Sequence, residues 1–328
     1  MNNCYACNIE IKDDNGSVEH IIPNSIGGQI KSNKLLCKVC NEKFGNTIDK
    51  YLNNQIGLFG TLLNVKRDRV PDKLFVQGQY DTGEVRYVGP GLKGGYKMII
   101  PVEVEGKIIK KEIYPKTEKE FNRLKKQQEK SLKKKFGNIQ FEEREEYNEN
   151  KLLFSTKENP KAIGGREFFQ AICKIAVNFF IFNGGDKSKV VDIVDFILDK
   201  NELKNAIFYY PDIDVIKREN DEIEHHILIR GDKQKRILYG YVELFSSHCV
   251  LIKFSESYSG NDLKMQYSYD LITGEEISKD IQIQLSREQF IGTFNPLVSH
   301  GRFQRKHNDL INRYFTIVEK KQDELKTK

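Results

Sequence analysis

The chain has 328 residues, 38% hydrophobic and 11% aromatic, which is enough for two or three compact units with real cores. No apolar run reaches the roughly 18 residues a membrane span needs; the longest, residues 168–182, is interrupted by Gln170, Lys174 and Asn178. The net charge of +6 is uneven: residues 1–60 are balanced, residues 61–140 hold 19 basic against 10 acidic side chains, and residues 141–328 are slightly acidic. A basic middle third points to a polyanionic partner, because phosphate neutralisation is the main sequence-independent source of affinity for nucleic acid.

The first residues lack the basic-then-apolar layout of a secretory signal, so the expectation is a cytoplasmic protein without a membrane partner. In a reducing compartment its six cysteines are read as metal ligands or buried thiols rather than disulfides.

In chain order, residues 1–54 combine closely spaced Cys, Gly and Asn with short apolar stretches at 18–22 and 34–37 and a helix-like run at 38–52. That is a strand, loop, strand, helix pattern. Period-two alternation then predicts strands at 74–80 and 84–88 around Asp81-Thr82-Gly83, and at 98–104 and 107–113 around Glu105-Gly106. Residues 117–136 form the next predicted helix, with Thr117 and Glu120 as a capping box and Gly137 as the stop.

The acidic stretch 142–149 is the preferred boundary. Beyond it, apolar residues at 168, 169, 172, 175, 176, 179 and 180 predict a helix over 166–182 with one buried face, ended by Gly184-Gly185. A helix at 188–198, strands at 207–210, 225–230, 237–245, 249–254 and 265–271, and a closing helix at 302–324 complete the reading. The fold class is α+β. The expected divisions are a zinc-stapled module at 1–60, a basic β-hairpin-rich segment with a Lys-rich helix at 61–140, and a separate α+β recognition or regulatory domain at 141–328.

Cys4-x2-Cys7 and Cys37-x2-Cys40 are two equal turns separated by 29 residues. Tetrahedral zinc takes four soft ligands, and two such turns supply them. A closed four-thiolate site has no open position for chemistry, so this Zn²⁺ is structural.

Between the turns run Glu19-His20-Ile21-Ile22-Pro23, Gly27-Gly28, and Asn33, Leu35 and Leu36 before Cys37-x2-Cys40-Asn41. Over residues 4–50 this resembles the HNH endonuclease superfamily, with its ββα-metal fold. The resemblance implies that His20 is the general base, that Asn33 pins the loop and orients the base, and that Glu19 and Asn41 hold a catalytic cation. Asn41 stands where many members have His. An oxygen-only set favours Mg²⁺ or Mn²⁺ over a second zinc. Asp49, two helical turns beyond Asn41, is the candidate third ligand, with Asn46 as the other candidate.

Histidine can take a proton from the attacking water while a hydrated cation stabilises the phosphate and the leaving oxygen. Lys66, Arg67 and Arg69 just downstream, and Lys125 and Lys126 in the Lys-rich helix, are the candidate DNA-backbone contacts, which position without reading sequence. Cys173 and Cys249 read as buried thiols, and Tyr209, Tyr210, Tyr239, Tyr241, Tyr267 and Tyr269 suit base stacking or core packing, with core packing preferred.

The resulting expectation is a metal-dependent DNA endonuclease of restriction, phage defence or a mobile element. Its C-terminal half would recognise the target or bind a regulatory ligand, and double-strand cutting by a one-metal site would call for a homodimer. The alternatives are a non-catalytic zinc ribbon that binds nucleic acid or protein, and an RNA-directed nuclease.

Overall fold

The computed structural model describes residues 3–68, 76–80, 85–88, 98–104, 107–113, 118–136, 152–153, 163–203, 206–209, 215–292 and parts of 305–320. Two compact units emerge: Met1–Gly57 with Val65–Arg67 and Ile163–Lys328, and Leu58–Asn64 with Asp68–Ala162. No helix among the described residues is long and apolar enough to cross a membrane.

The first unit opens with β1 (Glu19–His20) and β2 (Lys31–Ser32), antiparallel, followed by α1 (Lys38–Asn46) and α2 (Ile48–Leu62), whose last residues belong to the second unit. The expected element order is present, but β2 lies ahead of the apolar stretch at 34–37. Leu35, Leu36 and Cys37 are buried as the approach to α1. The predicted single helix breaks at Thr47 (φ −115°, ψ −93°), whose hydroxyl donates to the Lys43 carbonyl at 2.7 Å. A hydroxyl bonded back to the preceding turn is a known helix-bending arrangement.

The second unit holds β3 (Val76–Tyr80), β4 (Val85–Val88), β5 (Met98–Val104), β6 (Lys107–Ile113), α3 (Glu118–Phe136) and β7 (Leu152–Leu153). β3 lies between β4 and β7, and β5 pairs with β6, all antiparallel. The predicted cap at Thr117, the stop at Gly137 and the boundary at 142–149 lie outside the described residues.

The first unit resumes with α4 (Arg166–Phe182), α5 (Val191–Ile197), β8 (Ile207–Tyr209), β9 (Glu224–Asp232), β10 (Ile237–Leu244), β11 (His248–Ser255), β12 (Leu263–Asp270), β13 (Glu275–Ile277) and α6 (Arg287–Ile291). The strands form one antiparallel sheet in the order β13-β12-β9-β10-β11-β8. The described residues between 305 and 320 are helical.

The central strands β9, β10 and β11 are buried on both faces. Tyr239 and Tyr241 of β10 point into a cluster with Leu228, Leu251, Ile283 and Phe290. The alternate residue Gly240 lies under α4, where an added Cβ would come 3.3 Å from Ala176 Cβ. α4 itself is buried around its whole circumference from Gln170 through Phe180, including the polar Gln170, Lys174 and Asn178.

A helix buried all round must have neighbours on every side. The sheet covers one side of α4, and residues of the N-terminal module contact the polar stripe on another. The C-terminal half therefore packs with the N-terminal module in one unit, where the sequence had suggested a separate domain.

Candidate active site

The four-cysteine cluster is built from local geometry. The Cys4 amide donates to the Ile9 carbonyl and the Asn8 amide to the Cys4 carbonyl, each at 2.8 Å, with Asn8 in the left-handed region at φ 64°. Cys37 caps α1, which brings Cys40 onto its first turn. The four sulfurs lie within 4.8 Å of one another, and Cys7 Sγ is 3.7 Å from Cys37 Sγ. Zn–S bonds of about 2.3 Å give a tetrahedron with edges of about 3.8 Å. The four thiols fit the ion.

Between the two turns, the loop from β1 to β2 reverses through a short 3-10 turn, Asn24–Ile26, and Gly27 at φ 100°. Gly28 must be glycine for a different reason: an added Cβ would sit 1.8 Å from the Ile22 carbonyl oxygen. Asn24 Nδ2 donates to the Gly28 carbonyl at 3.1 Å. From the distant β9, His225 Nε2 lies 2.9 Å from the Ile26 carbonyl, while its Nδ1 accepts the Phe245 amide at 3.1 Å. Those bonds place the ring proton on Nε2, and burial pushes the His225 pKa down to about 4.

On β1 adjacent side chains leave on opposite faces. His20 is half-buried and directly opposite Lys31 in the hairpin, so the two share one face. Glu19 turns the other way and is 3% exposed. Asn41 Nδ2 donates to Ser17 Oγ at 2.8 Å and to the Val18 carbonyl at 3.1 Å, which fastens α1 to the approach of β1. Asn33 is exposed just after β2.

The chain thus brings together the four cysteines, Glu19, His20 and Asn41 around one hairpin. It does not assemble Glu19, Asn41 and Asp49 around an open position. Glu19 and Asp49 are joined by Lys174 of α4, whose ammonium pairs with Glu19 and lies 2.7 Å from Asp49 Oδ2. Asn178, one turn further along α4, donates to Glu19 Oε1 at 2.9 Å. Burial alone would lower the Lys174 pKa, but the Asp49 and Glu19 carboxylates reverse that and hold it above its ordinary value.

A hard divalent ion needs free carboxylate oxygens and room for water. With an ammonium already between the two carboxylates, the expected Mg²⁺ or Mn²⁺ ligand set does not fit.

Residues 4–56 match the family model described as HNH endonuclease. The N-terminal module is thus similar to that family, with the four clustered cysteines inside the matched stretch, and the match ends before α4. No curated protein and no solved structure matches the chain.

Of the predicted phosphate contacts, Lys66 and Arg67 lie beside the HNH hairpin. Gln29 Nε2 donates to the Lys66 carbonyl at 3.0 Å, and Val65 lies 3.2 Å from where a Gly27 Cβ would be. Lys66 is exposed, while Arg67 is half-buried, and burial lowers its pKa. Arg69 lies outside the described residues. Lys125 and Lys126 are on α3 of the second unit, with the Lys125 ammonium 5.7 Å from the centre of the Phe121 ring.

Two residues escaped the sequence reading. Lys31 was hidden because its position opposite His20 depends on hairpin register. Lys174, with Gln170 and Asn178, forms an i, i+4, i+8 stripe that was visible only as interruptions of an apolar run.

Proposed function

We propose that the HNH module hydrolyses phosphodiester bonds of DNA with His20 as general base. His20 takes a proton from a water molecule. The water oxygen then bonds to phosphorus as the bond to the 3′ oxygen breaks; that oxygen leaves with the bonding pair and takes a proton from solvent, His20 returns its proton to solvent, and the ends are 5′-phosphate and 3′-hydroxyl. Lys31, on the same face, steadies the negative phosphate, Asn33 orients the base, and Lys66 and Arg67 hold flanking backbone. The reading rests above all on the pairing of His20 with Lys31 on a hairpin held by the zinc turns and Gly27-Gly28.

A second reading is favoured by one observation, the occupation of Glu19 and Asp49 by Lys174. On it, the module is a non-catalytic zinc ribbon that binds nucleic acid.

Nicking of supercoiled plasmid separates them, with zinc-loaded full-length protein assayed without added metal, with Mg²⁺ and with Mn²⁺. The nuclease reading expects cleavage by wild type and a loss of about 100-fold or more in His20→Ala, the scale of a general-base contribution. Equal cleavage by both would remove the role of His20. DNA binding without cleavage by either would establish the ribbon.

A further inference from the structure

Glu19, Asp49 and Asn178 come from three elements far apart in sequence, and the group at their centre is an ammonium. The Lys174 side chain is 1% exposed and its Nζ lies 6.0 Å from the centre of the Phe44 ring. Its neighbours on α4, Cys173 and Ile175, are buried, so the lysine cannot swing to solvent without opening the core. Around the pair, Asp49 Oδ1 and Asn178 Oδ1 are buried oxygens with no hydrogen-bond partner. Two carboxylates and an amide oxygen are the donors a hard divalent cation prefers.

We infer that Lys174 is the resident cation of the HNH module: its ammonium fills the place between Glu19 and Asp49 that a divalent ion would require, and these carboxylates hold no catalytic metal. The inference rests on the nuclease reading only for the importance of Glu19 as the residue beside the base.

Two consequences follow from the geometry. First, a doubly charged ion at Glu19 would lie against an ammonium that is fixed in the core, so like-charge repulsion opposes it. Second, Glu19 acts as a positioning residue. Anchored inward by Lys174 and Asn178, it fixes the strand on which the next side chain, His20, faces outward with Lys31.

The test is Mn²⁺ binding to the zinc-loaded full-length chain, read by electron paramagnetic resonance, with zinc content and a cooperative melt as the check of folding. In wild type, Glu19→Gln and Asp49→Asn are expected to change Mn²⁺ affinity by no more than about twofold, since neither is a ligand. Lys174→Ala is expected to gain one Mn²⁺ ion per chain, drawn by two uncompensated carboxylates, and Lys174→Ala with Asp49→Asn to lose it again.

Weakening of wild-type Mn²⁺ affinity by about tenfold or more in Glu19→Gln would overturn the inference. A folded Lys174→Ala that gains no ion would do the same. Where Lys174→Ala fails to fold, the comparison of wild type with Glu19→Gln and Asp49→Asn decides alone. Because plasmid nicking reads His20 and this experiment reads ion occupancy, either proposal can fail while the other stands.

Discussion

Two devices hold the β1–β2 hairpin, and they differ in how far along the chain they reach. The zinc turns draw all four ligands from residues 4–40, with donors spaced so that one ion satisfies them. The Lys174 cluster joins residues 19 and 49 to residues 174 and 178, and no local geometry links these segments. The first device fixes the module's internal shape. The second fixes what the module is packed against. Coordination is thus a property of a short stretch of sequence, whereas compensation of a buried charge is a property of the assembled core.

Breaking the first device is expected to have the larger effect. Zinc binding to thiolate sites is coupled to folding by about 10 kcal/mol or more. Cys37→Ser, or removal of zinc by a chelator, is expected to unfold the module around Leu35, Phe44 and Leu52, which are all buried. Elemental analysis should give one zinc per wild-type chain and far less in the variant, with a matching loss of helical circular dichroism. An unchanged signal in zinc-free protein would contradict the assignment.

Breaking the second device comes next. Lys174→Met leaves Glu19 and Asp49 buried without a counter-charge, and removing one partner of a buried pair costs about 3–5 kcal/mol. Neutralising the whole cluster, Glu19→Gln with Asp49→Asn and Lys174→Met, is expected to recover most of that in urea unfolding. If the single variant loses less than about 1 kcal/mol, the cluster behaves like a surface ion pair and does not tie the module to α4.

The same contrast explains what the sequence could reveal. The cysteine cluster, the hairpin-then-helix order and the HNH resemblance depend on spacings within about 50 residues; the structure holds the first two and the family match the third. The α4 boundaries were also legible from its 3.6-residue periodicity, and Arg166–Phe182 was predicted residue for residue. What periodicity hid was the polar face. Gln170, Lys174 and Asn178 look like solvent-facing positions until Glu19 and Asp49 are placed against two of them.

The pairing of Asp49 with Lys174 was hidden for the same reason. A count of helical turns placed it near Asn41, but the Thr47 break starts a new helix and turns Asp49 toward α4. β13 and α6 were missed because three and five residues carry too little periodicity to register.

A smaller effect tests a second long-range tie, from His225 to the loop at Ile26. The folded pKa of about 4 lies below the ordinary value of 6.5 because burial outweighs the opposing hydrogen bond to the Ile26 carbonyl, with His226 adding to the lowering and Glu243 opposing it. The unfolded chain therefore binds the proton more tightly. The contribution of neutral His225 is complete above about pH 6.5 and falls as the pH drops toward 4, by roughly 3 kcal/mol in all. Urea unfolding at a series of pH values should show that slope, reduced in His225→Gln. An identical slope in the variant would mean that other groups carry it.

The smallest expected effect lies between the two devices. Gly45 is an exposed residue near the end of α1, where an added Cβ meets nothing within 4 Å, in contrast to the close carbonyl at Gly28. Its backbone is helical, so Gly45→Ala restricts the unfolded chain without strain and should stabilise by about 0.5–1 kcal/mol. Because α1 starts at the Cys37–Cys40 turn, that gain should appear in the thermal melt of zinc-loaded protein and vanish in a Cys37→Ser background. A gain that persists without the zinc ligand would mean that α1 folds on the strength of its packing, and that the Lys174 tie, rather than the knuckles, holds the module together.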